Sequence, residues 1–394
     1  MANEFWNGNK AAAEAVRLCD VKVVAAYPIT PQTTLVEHIA SFVSNALMDA
    51  RMIAVESEHS AMSACAGASS VGARTFTASS SQGIIYMSEV LHMTSGCRLP
   101  VVMAVVHRAI SAPVNISSDQ QDSMLVRDAG WVILECCSAQ EVHDTIPIAY
   151  RIAEDPSVHL PVMVCFDGFT ISHTSEEVES LSSDEVDVVL GPVSGLPRPV
   201  LDVSHPFQLN QLLTDQAYSE YQYKKHMSLR NAEAVIGAAY DEFAKVTGRY
   251  YPIVESYLCD DAEIIFIGMG SVTNTVKWVV NNLRKQGEKV GIVTIRELRP
   301  FPEKALLDAV RAAKLLAVIE KNIGLGTSGM MFPDVVGTFC NGEIHPKILN
   351  FIVGLGGRSV MPEAIEKSYR IAMDAMETRV AERVFWPDTD LEGL

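Results

Sequence analysis

Two polar motifs near the start of the chain carry side chains suited to catalysis. Tyr27-Pro28-Ile29-Thr30-Pro31 and Glu56-Ser57-Glu58-His59-Ser60-Ala61 each follow a short apolar run, and the second opens a segment of small residues. Such runs are typical of buried parallel strands, and ligands of open α/β sheets bind outside the carboxyl ends of the strands. We therefore expect the Thr30 hydroxyl and the Glu58 carboxylate to face one crevice.

Arg108 is a third candidate, because it follows the apolar run 101–106 and its fork suits a planar carboxylate. A solvated loop arginine is the alternative. Glu58 also has a plain alternative as a first-turn glutamate that stabilises a helix dipole, with Glu56 as its competitor. Packing or capping roles compete with acid–base roles for His59, His92 and His107. A structural ion-pair cluster is the expectation for most of Asp119, Asp122, Arg127 and Asp128.

Composition excludes several classes of function. The 394 residues suggest two domains, and a net charge of −17 argues against nucleic acid or an anionic membrane as partner. No apolar run approaches the roughly 20 residues of a membrane span, and no signal peptide precedes the first motif, which predicts a cytoplasmic protein. No C-x-x-C pair occurs, so we expect buried, reduced thiols and no metal or iron–sulfur site in this chain. The cysteines are Cys19, Cys65, Cys97, Cys136, Cys137, Cys165, Cys259 and Cys340.

Apolar, β-branched runs alternate with helix-length segments up to about residue 170. This alternation predicts a parallel sheet covered on both faces by helices. The expected strands are 21–26, 52–55, 74–78, 101–106, 131–136 and 162–166. The expected helices are 31–47, 58–71, 81–95, 120–128 and 139–153, the last with a capping box from Ser138 and Glu141.

A second, smaller α/β domain is predicted after a surface excursion at 168–228, where the periodicity fails. The first domain then covers 1–228 and the second 229–394, beginning with a helix at 229–248. The second domain's expected strands are 263–268, 290–295, 315–319 and 348–353, with helices at 272–286 and 302–313.

Two glycine motifs, Gly268-Met269-Gly270 and Gly324-Leu325-Gly326-Thr327-Ser328-Gly329, partly match dinucleotide fingerprints. The first lacks a third glycine, and no acidic residue ends a strand about 20 residues after the second. Tight turns explain both motifs better, so an NAD-dependent dehydrogenase is a weak alternative.

The chain resembles the α subunit of the 2-oxoacid:ferredoxin oxidoreductases, the pyruvate synthase family. The resemblance spans about 8–175 and, more thinly, 230–370. Besides the motifs at 27–34 and 56–61, it is carried by 72–83, His107-Arg108-Ala109-Ile110-Ser111-Ala112-Pro113, Asp119-Gln120-Gln121-Asp122-Ser123-Met124, Arg127-Asp128-Ala129-Gly130-Trp131, 161–174 and Leu298-Arg299-Pro300-Phe301-Pro302.

The resemblance implies a thiamine-pyrimidine-binding first domain and a second domain of the transketolase C-terminal type. It implies that Glu58 is the carboxylate that activates thiamine through ring N1′, and that Thr30 and Arg108 hold the 2-oxoacid. The cofactor would be lined by Tyr27, Pro28, Ile29, Glu58 and Gln82.

The resemblance also implies a multi-subunit complex. A β subunit would bind the diphosphate, Mg²⁺ and a cluster, while γ and δ subunits would carry further [4Fe–4S] clusters and pass electrons to ferredoxin. The Gly-Asp-Gly pattern by which the wider thiamine family holds Mg²⁺ is missing here. This chain is therefore expected to supply only the pyrimidine half of the thiamine diphosphate site.

The implied reaction converts a 2-oxoacid and coenzyme A to an acyl-CoA and CO₂. Pyruvate is the first expectation, although Ser117 and Ser118 stand where pyruvate members often carry a bulky aromatic residue. The competitor is a larger aryl or branched 2-oxoacid, such as phenylglyoxylate or 2-oxoisovalerate. A non-catalytic scaffold is the alternative from another class, and the retained Thr30, Glu58 and Arg108 argue against it.

Overall fold

Two mainly parallel sheets, one in each half of the chain, organise the protein. They are seen in a computed structural model that describes residues 2–191, 204–206, 208–378 and 381–390. The strands are β1 (Ala2–Trp6), β2 (Val23–Ala26), β3 (Arg51–Ala54), β4 (Thr75–Ser79), β5 (Val102–His107), β6 (Val132–Glu135), β7 (Val162–Asp167), β8 (Glu176–Ser180), β9 (Val254–Tyr257), β10 (Ile264–Gly268), β11 (Val290–Ile295), β12 (Glu297–Arg299), β13 (Leu315–Glu320), β14 (Lys347–Ile352) and β15 (Val384–Phe385).

Helices cover both sheets. They are α1 (Gly8–Leu18), α2 (Thr33–Ser44), α3 (Glu58–Ser70), α4 (Gln82–Tyr86), α5 (Ser88–Gly96), α6 (Gln121–Leu125), α7 (Ala139–Ala153), α8 (Ser183–Leu190), α9 (Asp215–Thr247), α10 (Val272–Lys285), α11 (Glu303–Ala309), α12 (Phe332–Thr338) and α13 (Pro362–Glu377), with a 3₁₀ turn at Leu355–Gly357. Within the described residues, no helix combines the length and the apolar character needed to cross a membrane.

The first sheet has the strand order β12-β6-β7-β5-β4-β2-β3. All of its pairs are parallel except that of β12, which comes from the second half of the chain and lies antiparallel to β6. Every residue of β5 and β7 is buried, as expected for central strands with helices on both faces. The second sheet has the order β15-β14-β13-β10-β11-β9, in which only β9 is antiparallel.

The predicted α/β fold class is confirmed, and each predicted strand exists within a few residues of its expected bounds. Four helix predictions are wrong in extent. The helix expected at 229–248 begins at Asp215, and the helix expected at 302–313 is only α11. The helix expected at 81–95 is split into α4 and α5 at Met87, and Ser81 has a φ of 53°, which no helix residue adopts. The helix expected at 120–128 is only α6, because the chain turns towards Gly130, where φ is 86°.

The capping box predicted for α7 forms only in half. The Ser138 hydroxyl accepts a hydrogen bond from the Glu141 N–H. The Glu141 carboxylate does not return to the Ser138 backbone, because it accepts from the Cys137 N–H and from the Arg296 guanidinium. Arg296 precedes β12, so this glutamate joins the two halves of the chain instead.

The segment predicted as a surface excursion, 168–228, is partly regular. It contains β8, which pairs antiparallel with β1, and helix α8. Its residues 192–203 and 207 lie outside the described part of the chain. The predicted domain boundary at 228 falls inside α9, a helix of 33 residues.

The two halves meet through a shared apolar cluster and a buried ion pair. The cluster joins side chains such as Trp131 and Ile133 to Ile265 and Val318. The ion pair joins Asp167, at the end of β7, to Lys321, just after β13. The carboxyl ends of the two sheets therefore lie against each other, next to the loops that carry the predicted site.

Candidate functional site

The candidate site lies where β5, β4, β2 and β3, neighbours in that order, end side by side. Each strand is followed by a loop that carries predicted site residues: Thr30 after β2, Glu58 after β3, Gln82 after β4 and Arg108 after β5. The loops expected to line the crevice therefore lie side by side at one edge of the sheet. The chemistry of the site depends on the contacts that each side chain makes.

Glu58 is the first residue of α3 and is buried, with 7% of its surface exposed. Ser57 caps the helix by accepting a hydrogen bond from the Ser60 N–H at 3.2 Å. Glu56 lies outside the helix, and its carboxylate accepts from the Ser60 hydroxyl. No residue in the described part of the chain hydrogen-bonds to the Glu58 carboxylate, so its oxygens are available to a ligand.

Gly83 packs directly against the Glu58 carboxylate. A Cβ atom at this position would lie 2.7 Å from Glu58 Oε1 and against Ser79 Oγ. The missing side chain therefore allows α4 to approach the carboxylate closely. The Ser79 and Ser80 hydroxyls and the Gln82 Nε2 group are buried there without a hydrogen-bond partner in the described structure. Unpaired buried polar groups are rare in folded proteins, and together with Glu58 they form a polar set that could hold a ring with donors and acceptors.

Arg108 is half-buried and lies against the loop of Thr30. Its Nη1 donates to the Thr30 carbonyl at 3.1 Å, and its Nε donates to the Asn115 carbonyl at 3.2 Å. The structure thus brings together the two residues predicted to hold the substrate. The Thr30 hydroxyl and the remaining guanidinium N–H groups make no hydrogen bond within the described chain.

In the loop after β2, Tyr27 and Pro28 are exposed and Ile29 is half-buried. Two amides fix this loop: Gln32 Nε2 donates to the Tyr27 carbonyl, and Asn9 Nδ2 donates to the Pro31 carbonyl, both at 2.8 Å. Tyr27, Pro28 and Ile29 are thus more exposed than Glu58, which is buried.

The ion-pair cluster predicted around 119–128 does not form as one unit. Arg127 and Asp128 approach only to 4.0 Å, and Asp128 also pairs with Arg299. Asp119 accepts hydrogen bonds from the Gln121 and Gly356 N–H groups, and burial raises its pKa to about 6. The fourth member, Asp122, pairs with none of the other three and contacts His107 instead.

Asp122 instead binds His107, at the end of β5. Asp122 Oδ1 lies 2.7 Å from His107 Nδ1, and both Glu135 oxygens lie 3.2 Å from His107 Nε2. All three side chains are buried. Burial alone would lower the pKa of His107, but the Glu135 and Asp122 charges raise it well above its usual value. Sequence patterns left His107 ambiguous and missed the role of Asp122, because nothing local indicates which residues meet in the core.

The other two histidines lie on the surface. His59 Nε2 is 3.6 Å from Glu89, and its ring lies 6.0 Å from that of Tyr86. His92 is exposed on α5. Neither approaches the buried groups of the crevice.

One group in the described residues has metal-ligand spacing: His107, Glu135 and Cys165, with ligand atoms within 4.8 Å of one another. Both ring nitrogens of His107 already face carboxylates, so a proton satisfies this group without a metal ion. The thiols are free, and all are buried except those of Cys97 and Cys340.

The second glycine motif is occupied by the protein itself. The Glu320 carboxylate accepts from the Met331 N–H at 2.6 Å and from Asn350 Nδ2 at 2.8 Å, and a Cβ at Gly329 would collide with it. Burial raises the pKa of Glu320 to about 7. A nucleotide phosphate at these backbone N–H groups would meet a carboxylate, so the geometry favours a structural turn.

Comparison with known families gives two matches. Residues 14–241 match the family described as pyruvate flavodoxin/ferredoxin oxidoreductase, thiamine diphosphate-binding, and residues 262–365 match the pyruvate:ferredoxin oxidoreductase core domain II. Pyruvate synthase subunit PorA of Methanothermobacter thermautotrophicus is 43% identical over 370 residues, covering 94% of this chain and 95% of that protein. Ketoisovalerate oxidoreductase subunit VorA of Pyrococcus abyssi is 44% identical over 353 residues, covering 89% of each.

Solved structures share the fold at lower identity. The 2-oxoglutarate:ferredoxin oxidoreductase of Magnetococcus marinus, solved with 2-oxoglutarate, coenzyme A and succinyl-CoA, aligns with a TM-score of 0.72 and 18% identity. The alignment covers 95% of this chain but 65% of that one. A split-gene transketolase, described as an inactive β4 tetramer, aligns with a TM-score of 0.54 and 13% identity over 94% of this chain and 99% of that chain.

Proposed function

The chain belongs to the pyruvate flavodoxin/ferredoxin oxidoreductase family, and we propose that it is the α subunit of an enzyme that oxidatively decarboxylates pyruvate with coenzyme A. It is an oxidoreductase subunit acting on 2-oxoacids, with a thiamine diphosphate-binding domain. The balanced reaction takes pyruvate, coenzyme A and two oxidised ferredoxins to acetyl-CoA, CO₂, one proton and two reduced ferredoxins, each of which accepts one electron. The observation that carries the proposal is the buried Glu58 carboxylate, which lacks a partner in the described chain and faces the crevice.

The residues present fit the aminopyrimidine of thiamine diphosphate. Glu58 is available as a hydrogen-bond partner for ring N1′, and the unpaired Ser79 hydroxyl lies beside it. Gly83 leaves the space beside the Glu58 carboxylate free of a side chain. The chemistry that the cofactor supplies when bound is an electron sink for the bond that breaks when CO₂ leaves.

Each residue of this chain has a distinct task in the proposal. Glu58 holds or releases the proton at N1′ from a largely buried position. Arg108 binds the planar carboxylate of the 2-oxoacid with the N–H groups that its contacts to Thr30 and Asn115 leave available. The Thr30 hydroxyl supplies a donor to the keto oxygen, and Tyr27, Pro28 and Ile29 close the outer edge.

The remaining parts of the enzyme are assigned to other subunits. Relatives are named as subunits, and this supports a multi-subunit complex. We assign the diphosphate, Mg²⁺ and a cluster to a β subunit, and further [4Fe–4S] clusters and the contact with ferredoxin to γ and δ subunits. The scattered cysteines of this chain support that division. A cytoplasmic location is part of the same proposal.

A branched 2-oxoacid such as 2-oxoisovalerate is the second candidate substrate. The VorA relative is as similar to this chain as the PorA relative, so identity does not separate the two. The loop after Arg108 carries Ser117, whose side chain lies against Gly357. These two small residues pack directly against each other, so the panel of 2-oxoacids below must decide between the two substrates.

Purification of the assembled complex tests the proposal. Bound thiamine, iron and sulfide are measured, and a panel of 2-oxoacids is assayed with coenzyme A and a low-potential dye. We expect thiamine in the complex and coenzyme A-dependent dye reduction that is fastest with pyruvate. Faster turnover of 2-oxoisovalerate or phenylglyoxylate would transfer the assignment to that substrate. A complex with bound NAD and no thiamine would refute it, and one without any activity would support a scaffold.

A further inference from the structure

Asp122 contacts both halves of the proposed site through backbone groups. Its Oδ2 accepts from the Ser81 N–H at 2.9 Å and from the Arg108 N–H at 3.0 Å. Its Oδ1 accepts from His107 and from the Ser123 N–H. One buried carboxylate therefore joins the loop at 80–83, which carries Gln82 and Gly83, to the residue proposed to bind the substrate carboxylate.

The loop at 80–83 needs such a constraint. Ser81 has a φ of 53° and a ψ of −129°, a conformation that side chains other than glycine rarely adopt. It is fixed by the Asp122 contact to its N–H and by its hydroxyl, which donates to the Ala109 carbonyl at 2.6 Å. Gln82 follows Ser81 directly, and its Nε2 group is buried without a hydrogen-bond partner in the described structure.

His107 orients the Asp122 carboxylate inside the protein through the 2.7 Å contact between His107 Nδ1 and Asp122 Oδ1. An isolated buried carboxylate is costly, and the imidazolium of His107 supplies the opposite charge. The groups that face His107 are Asp122 on α6, Glu135 on β6, and Cys165 and Asp167 on β7. Asp167 is itself paired with Lys321 from the second half of the chain.

We propose that Asp122, held by His107, is a positioning residue that fixes the loop at 80–83 and Arg108 relative to each other. This inference rests on the proposed function, since it assigns Asp122 a role in the same site. Asp122 touches neither substrate nor cofactor. It acts through the backbone of two loops, so its loss would misplace cofactor and substrate contacts together.

Asp122→Asn in the assembled complex is the direct test. Asparagine replaces one of the two carboxylate oxygens of Asp122 with an NH₂ group. This group faces either the Ser81 and Arg108 N–H groups or the His107 and Ser123 donors, so one pair of donors loses its acceptor. We expect kcat/KM for the 2-oxoacid to fall by about tenfold or more, the effect of losing a charged hydrogen bond, with the coenzyme A KM unchanged. Ser81→Gly in the same background should recover part of kcat but not the KM for the 2-oxoacid, because glycine adopts the positive φ freely.

Glu154→Gln is the matched control. Glu154 is also a buried carboxylate in an ion pair, with Arg74, but this pair lies at the amino end of the same sheet. We expect it to lower thermal stability without changing either KM.

His107→Gln is the second variant, and its readout is the KM for the 2-oxoacid. Glutamine carries no positive charge and can donate to only one of the two carboxylates that flank His107, so Asp122 loses its cationic partner. The 2-oxoacid KM should therefore rise in the same direction as in Asp122→Asn, with the coenzyme A KM unchanged. A 2-oxoacid KM equal to that of the wild type would contradict the role of His107.

The outcomes separate this inference from the proposed function. An Asp122→Asn complex with a 2-oxoacid KM within about twofold of wild type overturns the positioning role, whatever Glu58 does. Failure of both Asp122→Asn and His107→Gln to assemble, while Glu154→Gln assembles, would assign the pair to folding and also overturn it. An active Glu58→Gln complex would instead refute the proposed function.

Discussion

Gly83→Ala should disable the proposed cofactor site while leaving the substrate contacts intact. The added methyl group would lie 2.7 Å from Glu58 Oε1 and 2.8 Å from Glu58 Cγ, whereas ordinary contacts begin at 3.4 Å. The Glu58 carboxylate must therefore move by about 0.7 Å, and a misplacement of about 1 Å costs up to about 10²-fold in rate. We expect kcat to fall by about tenfold to a hundredfold, and stability to fall by about 1–3 kcal/mol from overpacking.

The assay is steady-state turnover of the assembled complex with a 2-oxoacid, coenzyme A and a low-potential dye. Gly67→Ala is the control, because Gly67 lies on the same helix as Glu58 and a Cβ added there would have no other atom within 4 Å. That change should leave kcat unchanged and stabilise the helix by up to about 1 kcal/mol. A Gly83→Ala enzyme that loses stability but keeps kcat within about twofold of wild type would refute the placement of the cofactor beside Glu58.

Three further changes test other parts of the account. In Arg108→Lys, the lysine cannot reproduce the contacts to Asn115 and Thr30. We expect kcat/KM for the 2-oxoacid to fall by one to two decades, about 1.5–3 kcal/mol. A rise in the coenzyme A KM alone would contradict the assignment of Arg108 to the substrate carboxylate. The chain expressed without partners should hold no stoichiometric iron and bind thiamine diphosphate more weakly than about micromolar, so calorimetry giving tighter binding would contradict the division between subunits. Lys321→Met should lower the free energy of unfolding at pH 7 by about 3–5 kcal/mol, because it leaves Asp167 buried without its cation. Burial alone would raise the Asp167 pKa, but Lys321 and His107 hold this pKa below its usual value. The ion pair therefore stabilises the fold fully above about pH 4, the pKa of an aspartate in the unfolded chain. Denaturation curves of the variant and the wild type should converge as the pH falls below that value.

The sheet strands were predictable because each is a continuous apolar run between helices. The antiparallel additions were not. β1, β8 and β12 are short or polar, and their partners are far away in sequence. β1 and β8 pair with each other in a separate two-stranded sheet, and β12 adds to the edge of the first sheet beside β6. Ser81 shows the same limit for helices: its neighbours favour a helix, but contacts to Asp122 and Ala109 hold it at positive φ.

The residues of the candidate site also divide into those that the sequence predicts and those that it does not. Glu58, Thr30 and Arg108 could be proposed from motifs at strand ends, since the end of a strand is visible in the sequence. The network behind them could not, because His107 and Glu135 come from different strands and meet only when the sheet forms. Asp122 was expected to pair with neighbours in sequence, whereas its partners are set by the register of β5 and the loop after β4.

The most direct test of the central claim is the turnover of the assembled complex carrying Glu58→Gln. Glutamine has the shape of glutamate but cannot hold and release the proton at N1′, so assembly should persist while kcat falls by about 10²–10⁴-fold. Thermal denaturation and subunit content serve as the controls for folding. A variant that assembles and turns over a 2-oxoacid within about threefold of wild type would contradict the assignment of Glu58 as the activating carboxylate.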